Sequence, residues 1–189
     1  NIIPIRYAER AGAEVIGEVE LAYRFLKGRI VAITGSNGKT TTTTLIGEIL
    51  KDAGFRVQVG GNIGRALISM VEDSADDGWT VVELSSFQLE TTKQFHPNVA
   101  VVLNVTPNHM DRYEAFTDYA AAKHRIFMNQ TPNDFAVLNA DDATVSSWVT
   151  GLRGQVKKFS VRDSLDSGVF LKGDELIAKA GAGEQVVLR

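Results

Sequence analysis

An apolar segment that runs directly into a glycine-rich turn constrains this sequence more than any other feature. Residues 30–34 read Ile-Val-Ala-Ile-Thr, and Gly35–Thr41 follows as Gly-Ser-Asn-Gly-Lys-Thr-Thr. The glycines allow backbone N–H groups to curl around an anion, and a helix that begins near Lys39 points its positive end at the same place. The segment therefore predicts a phosphate-binding loop, in which Lys39 neutralises the outer phosphates and the Thr40 hydroxyl binds magnesium.

The loop is a shortened variant of the usual phosphate-binding pattern. The full pattern has a glycine five residues before Gly38, and this sequence has Ile33 there. Taken alone, the segment also fits an ordinary turn between a strand and a helix. A GTPase or kinase with a P-loop is expected to carry the full-length loop and nucleotide-specificity motifs, which this sequence does not show. The rest of the chain has to decide among these alternatives.

Composition limits the domain organisation and the class of partner. The 189 residues, 44% of them hydrophobic, are enough for one α/β domain, or for one domain with a small appendage. A net charge of -3 gives no electrostatic footprint for nucleic acid, and no apolar run approaches the roughly 20 residues of a membrane span. The sequence contains no cysteine, and since it does not open on a charged-then-apolar leader, we do not expect export. We therefore expect a soluble, cytoplasmic protein with no nucleic acid or membrane partner.

Short β-rich segments alternate with helical patterns, which is typical of parallel strands joined by helices. Strands are predicted at residues 30–34, 56–59, 80–84, 99–105, 135–138 and 156–159. Helices are predicted at residues 14–26, 41–52, 65–71, 87–92, 117–128 (with Thr117 as N-cap) and 143–149, and the second is expected to pack through Leu45, Ile46, Ile49 and Leu50. The fold class is thus α/β, a doubly wound and mostly parallel sheet with a P-loop, flanked by helices. A C-terminal β-hairpin that turns at Gly173-Asp174 is expected to extend it.

Polar residues follow most of the predicted parallel strands. They form five loops, at residues 35–41, 60–62, 83–86, 104–111 and 139–142. In open α/β sheets, ligands bind at the carboxyl ends of the strands. We therefore expect the five loops to converge on a single binding edge.

Three further residues are weighed on the residue pattern alone. Glu83 closes an apolar strand, so it is either a solvated strand end or a magnesium ligand across from the phosphate loop. His109 is either a capping loop residue or a ligand. A lone helical lysine such as Lys123 usually faces solvent. His96 and His124 are interpreted as structural.

Six motifs occur in an order that resembles the Mur ligase superfamily. They span residues 35–41, 60–64, 83–90, 104–113, 121–126 and 137–142, and the similarity extends over about residues 13–159. The segment after Glu83, Leu-Ser-Ser-Phe-Gln-Leu-Glu, is similar to the branch that adds D-glutamate. Two departures are Ser36 in place of a frequent threonine and Pro107-Asn108 where some relatives have two acids.

This resemblance implies a ligase of three domains. Residues 1–27 would be the end of an upstream UDP-binding domain with its linker, and residues 28–189 a central ATP-binding domain. The C-terminal domain that receives the amino acid is expected to be absent, so the fragment is expected to be inactive alone. The resemblance further implies a monomer.

The resemblance also assigns roles to individual residues. Lys39, His109 and Lys123 would be catalytic, and two magnesium ions would be held by Thr40, Glu83, His109 and a carbamylated Lys123. Asn62, Ser85 and His109 would face the acceptor substrate. The ATP-binding residues would be Gly35, Ser36, Asn37, Gly38, Lys39, Thr40, Thr41 and Asn139.

The implied reaction is ATP-dependent amide-bond formation in the synthesis of peptidoglycan precursors. The carboxylate of UDP-N-acetylmuramoyl-L-alanine would be phosphorylated to an acyl phosphate, which the amine of D-glutamate would attack. Two alternatives stay open. One is a ligase like folylpolyglutamate synthase, which the 87–90 segment disfavours, and the other is a nucleotide-binding module without turnover.

Overall fold

The computed structural model describes residues 3–107, 112–181 and 183–188. Within them, the strands are β1 (Arg29–Thr34), β2 (Val57–Gly61), β3 (Trp79–Glu83), β4 (Val99–Val102), β5 (Phe135–Asn139), β6 (Gln155–Ser160), β7 (Gly168–Lys172), β8 (Glu175–Ala180) and β9 (Gly183–Leu188). The α-helices are α1 (Ile3–Arg10), α2 (Glu18–Tyr23), α3 (Lys39–Asp52), α4 (Ser86–Glu90), α5 (Phe116–His124) and α6 (Ala143–Ser147). None of these helices is long and apolar enough to cross a membrane.

All nine strands of the described chain form one sheet in the order β2-β3-β1-β4-β5-β6-β7-β8-β9. Strands β1 to β6 are parallel to their neighbours, as the alternating pattern predicted. The chain runs from β1 to β2, returns to β3 between β2 and β1, and then crosses to β4 on the other side of β1. This reversal lies at the carboxyl end of β1, which is where open α/β sheets bind ligands.

The sheet is buried on both faces around its central strands, because successive side chains of β1 point to opposite sides. Ile30 and Ala32 belong to the larger core cluster, under the layer that contains α2 and α5. Val31 and Ile33 belong to the smaller cluster, which α3 covers. The carboxyl end of β1 is thereby fixed from both faces.

The packing face of α3 differs from the predicted one. Ile46 and Leu50 contact the core, but Leu45 and Ile49 are each 57% exposed. The helix packs through Gly47, where an added Cβ would come within 2.4 Å of the Val59 side chain. The glycine lets α3 approach β2 closely, and this rotates the other two apolar residues outward.

Several predicted boundaries were wrong. Residues 67–70 form a short 3₁₀ helix instead of a helix over 65–71, and β4 stops at Val102. Thr117 is not an N-cap: α5 begins at Phe116, Ala115 is its N-cap, and the Asp118 carboxylate accepts the Ala115 N–H at 3.2 Å. The helix predicted over 14–26 is the shorter α2, and α1 was not predicted.

The C-terminal hairpin turns at residues 173–174, as predicted, but it continues the main sheet. Strand β7 pairs in parallel with β6 through Phe159–Val169 and Ser160–Phe170. Strand β8 pairs with β7 in the antiparallel direction, and β9 adds a further antiparallel strand. The extension therefore lies far along the sheet from the carboxyl end of β1.

A buried carboxylate joins α2 to the segment after α4. Glu20 is fully buried, and its oxygens accept the backbone N–H groups of Lys93, Gln94 and Phe95 at 2.8 to 3.1 Å. Arg24 donates to it at 3.2 Å. Burial alone would raise the pKa of Glu20, but these hydrogen bonds outweigh it and lower the pKa below its ordinary value of 4.5.

Replacing Glu20 with glutamine should lower the free energy of unfolding by about 1–3 kcal/mol, because an amide NH₂ would face backbone donors in a dry site. The folded-state pKa of Glu20 is depressed, so its contribution is present above pH 4.5 and is lost as the pH falls below that value. Urea denaturation of both proteins should therefore show a difference that shrinks in acid. The exposed Glu48→Gln is the control, and an equal loss in both variants would contradict the role of Glu20.

Candidate functional site

The glycine-rich loop joins the end of β1 to the start of α3. Gly38 has φ = +83°, a left-handed conformation that a residue with a side chain rarely adopts. The turn at Gly38 ends the loop, and α3 begins at the next residue, Lys39. Thr34 fixes the other end of the loop, because its hydroxyl donates to the Leu84 carbonyl oxygen at 2.8 Å.

The start of α3 presents free donors. The backbone N–H groups of Lys39, Thr40 and Thr41 have no intrahelical partners because they open the helix, and none bonds to another described residue. The ammonium group of Lys39 lies back over the loop and donates to the Ser36 carbonyl oxygen at 3.2 Å. This arrangement can bind an anion such as a phosphate.

Glu83 and Thr40 meet directly across the loop, as expected of two ligands of one cation. The Thr40 hydroxyl donates to Glu83 Oε2 at 2.8 Å, and the Asn62 side chain donates to Oε1 at 3.0 Å. Glu83 is only 2% exposed. A hydroxyl and a carboxylate are hard oxygen ligands, so this pair fits a magnesium ion that also contacts phosphates. The described residues contain no cluster of three or more acidic or histidine side chains that could hold a metal alone.

Lys123 is buried at the site, which its residue pattern alone did not predict. It is 2% exposed, its ammonium group donates to the Gly35 carbonyl oxygen at 2.9 Å, and it lies 4.6 Å from the centre of the Tyr119 ring. Burial lowers the pKa of Lys123 to about 7, and the nearby charge of Lys39 adds to the effect. The neutral form of this amine is therefore favoured relative to that of an exposed lysine.

Ser85 and Asn139 lie at the expected edge with their side chains engaged in local structure. Ser85 is the N-cap of α4: its hydroxyl accepts the Gln88 N–H at 3.3 Å. The Asn139 amide donates to the Leu103 carbonyl oxygen at 2.8 Å and accepts the Asp141 N–H at 2.8 Å. Substrate contacts of both residues stay predictions.

Among the three histidines, His109 lies outside the described residues, and its predicted roles as ligand and catalytic residue stay predictions. His96 Nε2 is 2.6 Å from the Asp134 carboxylate, near the amino ends of the strands. His124 packs against Trp148 with ring centres 5.0 Å apart, and burial lowers its pKa. Both contacts agree with structural roles.

A cavity of about 440 Å³ opens beside the loop, between the ends of β4 and β5. It adjoins the loop through Asn104, which contacts Ser36 and Asn37, and it is lined by both polar and apolar groups. Its lining is formed by Asn104, Val105, Thr106, Asn139, Asp141, Asp142, Ala143, Thr144, Val161 and Arg162. Its position is suited to the part of a nucleotide that lies beyond the phosphates.

The fold and the loop together define an α/β domain of the P-loop kind. The family model for the Mur ligase middle domain matches residues 33–177. The chain therefore belongs to the Mur ligase family.

Curated relatives are similar over almost the whole chain. A UDP-N-acetylmuramoylalanine--D-glutamate ligase from Pelotomaculum thermopropionicum is 53% identical over 100% of this chain, and one from Solibacter usitatus is 54% identical over 94%. The chain spans 42% and 40% of their lengths. Among solved structures, a MurF ligase from Thermotoga maritima in complex with ADP has a TM-score of 0.67 at 24% identity, with 90% of this chain and 43% of that chain covered. That likeness shows the shared fold.

Two residues at the site were not assigned a role from the sequence. Tyr119 brings its hydroxyl within 3.0 Å of Ser36 Oγ while its ring lies under Lys123. Asn104 binds the loop through its side-chain amide. The sequence could have indicated a role for Asn104, because it opens the motif at residues 104–113. Spacing along the chain, however, does not show which loop its side chain contacts.

The depressed pKa of Lys123 predicts a specific pH dependence of stability. Between pH 7 and 10.5 the unfolded chain binds more protons at this residue than the folded chain, so the free energy of unfolding should rise with pH. A Lys123→Met variant should lose this component of the slope, measured by urea denaturation from about pH 7 to pH 10.

The control for this prediction is Lys51→Met, on the exposed surface of α3. It should leave the slope unchanged. Equal slopes for wild type and Lys123→Met would show that Lys123 titrates normally.

Proposed function

We propose that this chain is the ATP-binding part of a ligase that joins D-glutamate to UDP-N-acetylmuramoyl-L-alanine in peptidoglycan precursor synthesis. The observation that supports it most is the contact of Thr40 with Glu83 at the end of a P-loop, in a chain 53% identical to D-glutamate ligases. Residues 28–189 would be the central domain, and residues 1–27 the end of the upstream one. We further propose a cytoplasmic monomer.

In this proposal, Gly35–Thr41 binds the ATP phosphates. The free N–H groups at the start of α3 face the anion, and Lys39 moves from the Ser36 carbonyl oxygen to the outer phosphate. This exchange is favourable, because an ammonium group forms a stronger hydrogen bond with a negatively charged phosphate oxygen than with a neutral carbonyl oxygen. Asn139, beside the 440 Å³ cavity, would lie near the adenine.

Thr40 and Glu83 would hold one magnesium ion, and His109 with Lys123 a second. The metal would supply charge neutralisation between ATP and the acceptor carboxylate, two anions that otherwise repel each other. Asn62, which donates to Oε1, would keep Glu83 oriented so that Oε2 is available to a cation.

We propose that Lys123 becomes carbamylated. The burial that lowers its pKa to about 7 supplies a neutral amine, which can attack carbon dioxide with loss of one proton. The product is a carbamate anion, which offers oxygen atoms to a hard cation. The modification would also remove a positive charge from the neighbourhood of Lys39.

The reaction would proceed by transfer of the γ-phosphoryl group to the alanyl carboxylate. The acyl phosphate formed is then attacked by the amine of D-glutamate, and the tetrahedral intermediate releases phosphate and leaves an amide. Lys39 would stabilise the negative charge on the transferring group. Ser85 and Asn62 would face the acceptor, and no protein nucleophile is needed.

Replacing Lys39 with alanine should abolish binding of a non-hydrolysable ATP analogue with magnesium, because the loop loses its only ammonium group aimed at the outer phosphates. Calorimetric titration of the 189-residue chain measures this directly. The control is Lys51→Ala, on the same helix but away from the loop. Equal affinity of Lys39→Ala and wild type would place the phosphates elsewhere.

The amino-acid specificity requires the full-length protein. Release of ADP in the presence of UDP-N-acetylmuramoyl-L-alanine should depend on D-glutamate, and L-glutamate should not replace it. Lys39→Ala should lose the activity. Turnover with a folate acceptor would instead favour the folylpolyglutamate-synthase-like alternative.

A further inference from the structure

Asn104 lies just beyond the carboxyl end of β4 and reaches across to the glycine-rich loop. Its side-chain Oδ1 accepts the Ser36 N–H at 3.1 Å and the Asn37 N–H at 2.9 Å. Its Nδ2 donates to the Asn37 carbonyl oxygen at 3.0 Å. Its backbone carbonyl oxygen also accepts the Ser36 N–H, at 2.9 Å. One side chain thus binds both residues between the two glycines of the loop.

The shortened loop explains why an outside residue is needed. Ile33 replaces the first glycine of the full-length pattern and lies in β1, so only Ser36 and Asn37 separate Gly35 from Gly38. A turn this short has few backbone groups with which to stabilise itself. Gly35 lies close to the β4 end, because an added Cβ would be 3.1 Å from Leu103 Cβ and 3.4 Å from the Asn104 backbone. This close approach brings the Asn104 amide within reach.

The donors of the loop are divided between two functions. Asn104 takes the N–H groups of Ser36 and Asn37, whereas those of Lys39, Thr40 and Thr41 stay free of any described partner. A phosphate at the helix start would therefore have donors of its own, and Asn104 would not have to leave. The Asn104 side chain therefore shapes the loop and does not occupy the donors that a phosphate would use.

We propose that Asn104 is a positioning residue that holds the phosphate loop in its binding shape before the nucleotide arrives. The consequence for ATP rests on the proposed function, but the effect on loop shape does not. Without Asn104, nucleotide binding would include the cost of ordering Ser36 and Asn37. It would act through the backbone of the loop, with no contact to the reacting atoms.

Asn98 offers a matched control at the other end of the same strand pair. Its Oδ1 accepts the Ile30 N–H at 2.9 Å, so it also links the β4 side to β1, but at the amino ends of the strands. Asn98→Ala and Asn104→Ala should both lower stability. Only Asn104→Ala should change the loop, so the comparison separates loop positioning from general destabilisation.

The first measurement is amide hydrogen exchange by NMR on the 189-residue chain without nucleotide. In Asn104→Ala, the N–H group of Asn37 should exchange at least about tenfold faster than in wild type, because it loses its acceptor. The N–H group of Ser36 keeps the backbone carbonyl oxygen of residue 104 and should change less. Exchange of both N–H groups should be unchanged in Asn98→Ala. Asn104→Asp keeps the acceptor oxygens and should retain much of the protection, which covers the case that the alanine variant does not fold. Unchanged exchange of the Asn37 N–H in Asn104→Ala would overturn the proposal. Where the alanine variant does not fold, exchange of this N–H in Asn104→Asp as fast as that of an unprotected amide would overturn it.

The second measurement is the affinity of the full-length protein for the non-hydrolysable ATP analogue. Asn104→Ala should weaken it by about tenfold or more, and Asn98→Ala should not. An equal effect of the two variants would overturn the link between loop shape and binding. If wild type itself binds no analogue, the proposed function fails, and the exchange experiment still decides the role of Asn104.

Discussion

The parallel pairing of β1 between β3 and β4 is the constraint on which the site depends. Strand β1 pairs with β3 through Ile33–Glu83 and with β4 through Thr34–Val102, so the three strands end together. The glycine-rich loop follows the middle strand, and polar residues follow the two flanking strands. This register places Glu83 on one side of the loop and Asn104 on the other.

Two basic side chains meet at this junction, and their proximity favours an anionic ligand. The ammonium groups of Lys39 and Lys123 donate to the consecutive carbonyl oxygens of Ser36 and Gly35. Mutual repulsion contributes to the lowered pKa of Lys123, and the burial of Glu83 adds only one negative charge nearby. Phosphates at the start of α3 would relieve this imbalance.

The sequence was sufficient for the parts of the fold that depend on local pattern. The parallel strands and the loop were predicted because apolar periodicity and glycine spacing are local signals. The outward rotation of Leu45 and the burial of Lys123 were not, because both depend on how α3 and α5 pack on the sheet. The Asn104 contact has the same origin: it joins residues 67 to 68 positions apart, so no spacing rule shows it.

The polar side chains of the site and the middle of the loop have partners before any ligand arrives, whereas the N–H groups at the start of α3 stay free of described partners. Glu83 gives one oxygen to Asn62 and the other to Thr40, and the loop gives two N–H groups to Asn104. Only the contacts nearest the ligand need to be exchanged on binding, whereas Asn62 and Asn104 can keep theirs. A site built in this way loses little free energy to reorganisation, which is the condition under which fixed dipoles stabilise developing charge most strongly.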